Sequence, residues 1–303
     1  MQIYLPIAEL SVNVVLLLGL GGLIGFLSGI FGVGGGFLMT PLLIFIGVPP
    51  PVAVATQANN VVASSISGVI AHFRRGNVDV RMGIVLLAGG LVGSTAGVRI
   101  FKLLREIGQI DLVINLSYAV MLAVVGVLMS WEGASAIVRR RRQMPQRPLH
   151  LHGWAHRLPL KVRFPRSRLY ISALVPLVIG VAIGVLSAIM GVGGGFILVP
   201  AMIYLIGMPT SVVIGTSLFQ IVFVAANVTF LQAVQNQTVD VVLALLLLLG
   251  SVIGAQYGSH MATRLPGDLL RILLGVVVIA TCGRLVYELV SVPVDLYTLG
   301  GAG

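Results

Sequence analysis

The chain has 303 residues, 57% of them hydrophobic and 9% charged, with a mean hydropathy of +1.06. A soluble domain carries about 25% charged residues, so water is not the main solvent here. The net charge of +10 would suit a nucleic-acid binder, but ten of the nineteen Lys and Arg residues fall between Arg139 and Arg168, which makes them one basic loop and excludes nucleic acid as the partner.

The N-terminus has neither the basic n-region nor the small-residue cleavage site of a signal peptide, so the first apolar run, 11–31, is expected to be a permanent span. It ends in GVGGG at Gly32 to Gly36, followed by Phe37. The next apolar segment, Phe37 to Val48, is shorter than the ~18 residues of a spanning helix and suits a re-entrant piece. The first two segments therefore read as a hairpin. A polar-flecked helix follows, with Thr56, Asn60 and Ser64 spaced by four on one face and Gln57 and Asn59 beside it. Asp79 stands where an N-cap is expected, and two plain apolar runs, 82–100 and 109–131, complete the unit.

After the basic stretch the pattern returns: an apolar run at 170–190, GVGGG at Gly191 to Gly195 with Phe196, a short segment to Gly207, a polar-flecked helix, Asp240, and apolar runs at 240–259 and 269–290. Residues 25–49 align with 184–209 at an offset of 159. Thr56 then meets Thr216, Asn60 meets Gln220, and the glycine ladder Gly89, Gly93, Gly97 meets Gly250, Gly254, Gly258. Self-similarity over so long a period marks a duplicated unit. A transmembrane barrel would instead show ~10-residue alternating segments. The expected fold is an all-α polytopic membrane protein of two repeats, each a re-entrant-like helical hairpin plus three transmembrane helices. The first repeat covers 1–132, a basic cytoplasmic linker 133–168, and the second repeat 169–303.

Short cytoplasmic loops collect Lys and Arg. Arg74, Arg75 and Arg81 flank the loop before the fourth segment, whereas the matching loop, 231–240, has no basic residue. Placing 74–81, 139–168 and 264–271 in the cytoplasm puts fifteen of nineteen basic residues inside, leaves Arg99 to Arg105 outside with both termini, and makes the repeats inverted. Inverted repeats with interrupted helices at mid-membrane are a recurring plan of secondary transporters.

Non-helical backbone at membrane depth must be buried in protein or line a wet cavity. The candidate binding residues are therefore the two turns with their aromatic residues, Gly32, Gly34, Gly35, Gly36, Phe37 and Gly191, Gly193, Gly194, Gly195, Phe196. Glycine permits positive φ and close approach of a ligand, and a helix N-terminus offers free amides and about half a positive charge, so the natural ligand is an anion. Tight helix packing is the alternative use of such glycines; their recurrence at one place in each unit favours a substrate role. Thr56, Asn60, Thr216 and Gln220 join the set because they match between units and follow directly on the hairpins. Neither GVGGG is followed by Lys-Ser or Lys-Thr, so neither is a phosphate-binding P-loop.

No metal site is expected: His150, His152 and His156 sit in the linker without a carboxylate partner, and Cys282 is the single cysteine. No enzymatic activity is expected either, because the apolar segments pair no His, Asp or Glu with a nucleophile. The linker, with Trp154 and Phe164 among its basic residues, suits contact with the anionic leaflet.

GVGGGF with a following proline, Pro41 in one unit and Pro200 in the other, resembles the sulfite exporter TauE/SafE family. The resemblance covers nearly the whole chain. It implies multi-pass transport of sulfite, an organosulfonate or a related sulfur-containing anion across the bacterial inner membrane, with no cofactor. The Arg-rich linker departs from that pattern. An anion channel and a proton-coupled sulfonate importer are the rival readings.

Overall fold

The computed structural model describes residues 2–31, 36–141, 160–167, 169–262 and 267–290. Each unit begins with a small β-hairpin that the sequence did not announce. Strand β1 (Gln2–Leu5) pairs antiparallel with β2 (Leu10–Asn13), and β3 (Lys161–Phe164) with β4 (Leu169–Ser172). Five helices follow the first hairpin: α1 (Val14–Phe31), α2 (Gly36–Phe45), α3 (Pro50–Arg74), α4 (Val80–Glu106) and α5 (Ile110–Arg141). Five follow the second: α6 (Leu174–Met190), α7 (Gly195–Ala201), α8 (Thr210–Leu231), α9 (Val241–Ala262) and α10 (Gly267–Val290). Helices α7 and α8 each run on into a π-helical turn, Met202–Ile206 and Gln232–Asn236.

The boundaries drawn at 133 and 168 fall inside elements, because α5 continues to Arg141 and the β3–β4 hairpin straddles residue 168. Most of the linker, with His150, His152, Trp154 and His156, lies outside the described residues.

Among the described residues five helical stretches are long and apolar enough to cross a membrane: Val80–Glu106, Ile110–Leu128, Val212–Asn236, Val241–Gly258 and Leu273–Val290. The polar-flecked α3, though 25 residues long, is not among them. Helix α2 is ten residues, about 15 Å at 1.5 Å per residue, and α7 with its π-helical turn is little longer. Each is about half as long as a ~30 Å bilayer core is thick.

The helices pair across the two units. α1 packs on α9 and α4 on α6, while α3 packs on its counterpart α8 and α5 on its counterpart α10. The glycines are what let the first two pairs come so close. A Cβ at Gly250, Gly254 or Gly258 would collide with the carbonyls of Leu18, Gly22 and Phe26 in turn, and a Cβ at Gly89 or Gly93 with those of Leu177 and Val181. Both series ascend together, so α1 runs parallel to α9 and α4 parallel to α6. Contacts of Gly68 with Leu218 and of Gly215 with His72 descend instead, as do those of Gly126 with Ile279 and Gly275 with Ser130. Helices α3 and α8 are therefore antiparallel, and so are α5 and α10.

Each hairpin sits on the N-terminus of a helix from the other unit. Asp79 caps α4 by accepting the Met82 amide at 3.2 Å, and its other oxygen accepts the Ser167 amide (2.9 Å) and hydroxyl (2.6 Å). Asp240 does the same for α9, accepting the amides of Leu243 at 3.0 Å and Ile7 at 3.2 Å. Beside the first of these caps, Asp79, Arg81 and Arg166 line one pocket together with Phe73 and Gly76, the residues that flank Arg74 and Arg75. At the far end of α4, Arg105 Nη1 donates to the Asn236 carbonyl at 2.7 Å.

Candidate functional site

The two short helices begin side by side. Phe37 and Phe196, equivalent positions of the two units, stack with ring centroids 4.3 Å apart and planes 17° from parallel. Both are buried, at 2% and 3% exposure. Equivalent residues in mutual contact lie on the pseudo-symmetry axis, so the N-terminal ends of α2 and α7 meet at the centre. The prolines fall at one place in each: Pro41 and Pro200 can give no amide to the carbonyls of Phe37 and Phe196 four residues earlier.

The second turn is fully described. Gly191, Gly193 and Gly194 have φ of 68°, 71° and 73°, a left-handed backbone that requires glycine. Packing requires it too, since a Cβ at Gly191 would strike the Val54 carbonyl and one at Gly194 the Ile183 side chain. The Gly194 carbonyl takes the amides of Ile197 (3.2 Å) and Leu198 (2.8 Å), while the amides of Gly195 and Phe196 begin the helix without a carbonyl of the same helix to bond. Of the first turn, Gly32, Gly34 and Gly35 lie outside the described residues, while Gly36 is buried beside Gln57 and Val192. A cavity of about 10 Å3 lies at the second turn, bordered by Met121, Met190 and Phe196. It has room for at most one water.

The polar faces of α3 and α8 divide into two roles. Thr56 and Thr216 are fully buried, and each accepts a backbone amide of the other unit, that of Asp240 at 3.2 Å and that of Asp79 at 3.0 Å. Asn60 and Gln220 are less satisfied. Asn60 Nδ2 donates a long bond to Gln57 Oε1 at 3.5 Å, while Asn60 Oδ1 and both amide atoms of Gln220 have no partner among the described residues. Gln220 is 0% exposed and lies against Gly90 of α4, where a Cβ would be 2.6 Å from its Nε2. None of these side chains is charged.

Two neighbouring polar residues serve structure. Asn227 bridges α8 to α4 by donating to Ser94 at 2.8 Å and Thr95 at 3.3 Å, and the Ser64 hydroxyl bonds back to the Val61 carbonyl at 3.1 Å. Sequence reasoning had no signal for Tyr118, a buried α5 residue whose hydroxyl donates to the Met190 carbonyl just before the second turn. Gln57 stood in the polar pattern, but its approach to within 3.2 Å of a Cβ at Gly36 depends on tertiary packing.

Two short helices that begin at glycine turns and are matched between duplicated units follow the recurring plan of transporters with interrupted helices. The comparisons with known proteins agree. The sulfite exporter TauE/SafE family model matches residues 17–285. The chain belongs to the sulfite exporter TauE/SafE family. It is 31% identical over 272 residues to a "Probable membrane transporter protein" of Xylella fastidiosa (strain 9a5c), covering 88% of this chain and 93% of that one. It is 27% identical over 277 residues to "Probable membrane transporter protein YjnA" of Bacillus subtilis (strain 168), covering 91% of this chain and 100% of that one. "Sulfite exporter TauE/SafE family protein 2" of Arabidopsis thaliana is 32% identical over 113 residues, 37% of this chain and 24% of the plant protein. No solved structure matches. The chain is thus a multi-pass helical membrane transporter of this family.

Proposed function

We propose that this TauE/SafE family transporter is a secondary carrier that exports a small sulfur-containing anion, sulfite or an organosulfonate, across the bacterial inner membrane. The anion binds near the bilayer mid-plane, between the N-terminal ends of α2 and α7 and the amides of Asn60 and Gln220. The observation that carries this reading is Gln220, fully buried with both amide atoms unpartnered. Such a group costs about 1–3 kcal/mol when left unsatisfied, and a ligand taken up in another conformation of the carrier removes that cost. Sulfite and sulfonate oxygens need several donors and no countercharge beyond two helix ends, which suits a site without arginine or lysine.

The units are read as inverted in the bilayer. Support comes from the antiparallel courses of α3 against α8 and of α5 against α10, together with the arginines gathered at one end, which the positive-inside rule places in the cytoplasm. Both termini then face the periplasm, and the basic segment 139–168 lies against the anionic leaflet. Exchange between inward and outward states is a rearrangement of the two units about the central stack of Phe37 on Phe196. An inside-negative potential favours outward movement of one negative charge by about 2.3 kcal/mol per 100 mV, so export needs no coupling ion. The buried carboxylates, Asp79 and Asp240, are held by helix and hairpin amides.

Counterflow in proteoliposomes tests the reading. Vesicles loaded with sulfite or taurine are expected to accumulate labelled substrate saturably, with thiosulfate, sulfate and sulfoacetate ranking the specificity. Unitary currents would make the protein a channel, and no flux of any sulfur-containing anion would overturn the assignment.

A further inference from the structure

The caps at Asp79 and Asp240 do the same work in different surroundings. The β-hairpins match at an offset of 159, Pro165 with Pro6 and Arg166 with Ile7, and the helices after the caps match at 161, Arg81 with Val242. Asp240 therefore holds its hairpin with Ile7 and Val242 at the places where the Asp79 cap has two arginines. Seating a hairpin does not call for those charges. Arg81 and Arg166 line a pocket of about 250 Å3 at the start of the Val80–Glu106 span. Arg166 reaches the loop after α3, where a Cβ at Gly76 would lie 3.1 Å from its Nη1. Neither arginine has an ion-pair partner among the described residues, and no Asp or Glu occurs in the sequence between Glu132 and Asp240. Asp79 borders the pocket too, but its two oxygens already accept the Met82 amide and the Ser167 amide and hydroxyl.

Phe73 lines this pocket and also an apolar groove of about 520 Å3 beside it. Ile66, Ile70 and Phe73 stand on one face of α3 at helical spacing, Phe219 and Phe223 line the groove from α8, and Arg74 stands at its end. From residue 66 to residue 73 the groove runs about 10 Å along α3, at 1.5 Å per residue. Ile66 is 42% exposed and Phe73 56%, so the groove is open, and in a membrane an open apolar groove faces hydrocarbon. We infer that pocket and groove are one site for an anionic phospholipid, with its headgroup phosphate between Arg81 and Arg166 and an acyl chain along the groove between α3 and α8. Guanidinium forks bind phosphate oxygens with paired hydrogen bonds, and basic pockets between transmembrane helices bind anionic headgroups. A free anion would use the arginines and leave the groove empty, and a neutral lipid would fill the groove and leave the arginines without a counterion. An anionic lipid satisfies both. The site is independent of the carried anion, and it is separate from a diffuse contact of segment 139–168 with the leaflet, because Arg81 and the groove lie outside that segment.

The test is lipid retention by native mass spectrometry, with thermal melting beside it, on the full chain in neutral detergent. The probes are phosphatidylglycerol, phosphatidylcholine and inorganic phosphate, and the variants are Arg81→Gln, Arg166→Gln, Ile70→Trp and Arg75→Gln. The wild type is expected to retain phosphatidylglycerol in preference to phosphatidylcholine. Arg81→Gln and Arg166→Gln are each expected to weaken its Kd about tenfold, the scale of one hydrogen bond to a charged group. Ile70→Trp fills the groove and is expected to weaken binding with both arginines present, whereas Arg75→Gln, at a residue that lines neither pocket nor groove, leaves it unchanged. Where a variant does not fold, competition between the two lipids on the wild type and the remaining variants decides. Equal losses in Arg75→Gln and Arg81→Gln mean diffuse attraction to charge and overturn the site. Equal retention of the two lipids overturns the phosphate contact. Stabilisation by inorganic phosphate as large as that by phosphatidylglycerol, in wild type and Ile70→Trp alike, overturns the lipid as occupant.

Discussion

Thr56 Oγ1 accepts the backbone amide of Asp240 at 3.2 Å, a bond from α3 of the first unit to the N-cap of α9 in the second. Its twin, Thr216 with the Asp79 amide at 3.0 Å, runs the other way. Each aspartate then spends its carboxylate on its own helix and on a β-hairpin, so one threonine, one aspartate and one hairpin form a clasp at each end of the molecule. Buried backbone amides are almost always paired, and here the partner comes from the other repeat.

Thr56→Val and Thr216→Val keep the side-chain shape and delete the acceptor. Each is expected to cost about 1–3 kcal/mol by leaving a buried amide unsatisfied, whereas Thr56→Ser and Thr216→Ser retain the bond and stay close to wild type. Equilibrium unfolding in mixed micelles measures this. Valine and serine variants of equal stability would show that the clasps carry no energy.

The glycine ladders separate by what stands opposite them. A Cβ at Gly254 would overlap the Gly22 carbonyl and one at Gly93 that of Val181, while Gly283 has open space around it. Gly254→Ala and Gly93→Ala must push two helix backbones apart and are expected to cost about 1–3 kcal/mol or more. Gly283→Ala, which gains helix propensity, is expected to raise stability by up to ~1 kcal/mol. Thermal unfolding of the three in one detergent checks the order. Equal melting temperatures would contradict the close α1–α9 and α4–α6 crossings.

Inversion of the repeats predicts opposite labelling of equivalent loops. In a Cys282→Ala background, Arg75→Cys should react with an impermeant thiol reagent only from the cytoplasm and Gln235→Cys only from the periplasm, both being exposed positions. Labelling of both from one side sinks the inverted arrangement.

Much of this was legible from sequence because the duplication supplied an internal control. GVGGG, the half-length segments and the offsets at Thr56 and Asn60 located the two short helices and the polar faces. The β-hairpins escaped because four-residue strands leave no periodic signal, and a two-stranded hairpin is marginal alone; here Asp79 and Asp240 hold them from afar. Asp79 read correctly as a cap through its local spacing to Met82, but its bond to Ser167 spans 88 residues and has no local trace. The glycine ladder marked the duplication, whereas its packing role and the identity of the partner, α9 for α1 and α6 for α4, are set by tertiary pairing across the repeats. Gly97, which sits on a plain apolar run, proved to face Ala188 and Val185 closely.

The central claim is that an anion is held at the meeting point of the two half-helices by the buried amides beside it. Its most direct measurement is anion-dependent thermal stability of wild type, Asn60→Leu and Gln220→Leu, titrated with sulfite and with taurine. A ligand that binds only the folded protein stabilises it by RT ln(1 + [L]/Kd), about 2.7 kcal/mol at a hundredfold excess over Kd. The wild type is expected to follow that curve for at least one of the two ligands, sulfite or the zwitterionic sulfonate taurine, and the folded leucine variants to lose most of the shift. Leucine variants that remain folded and keep the whole stabilisation would contradict the account.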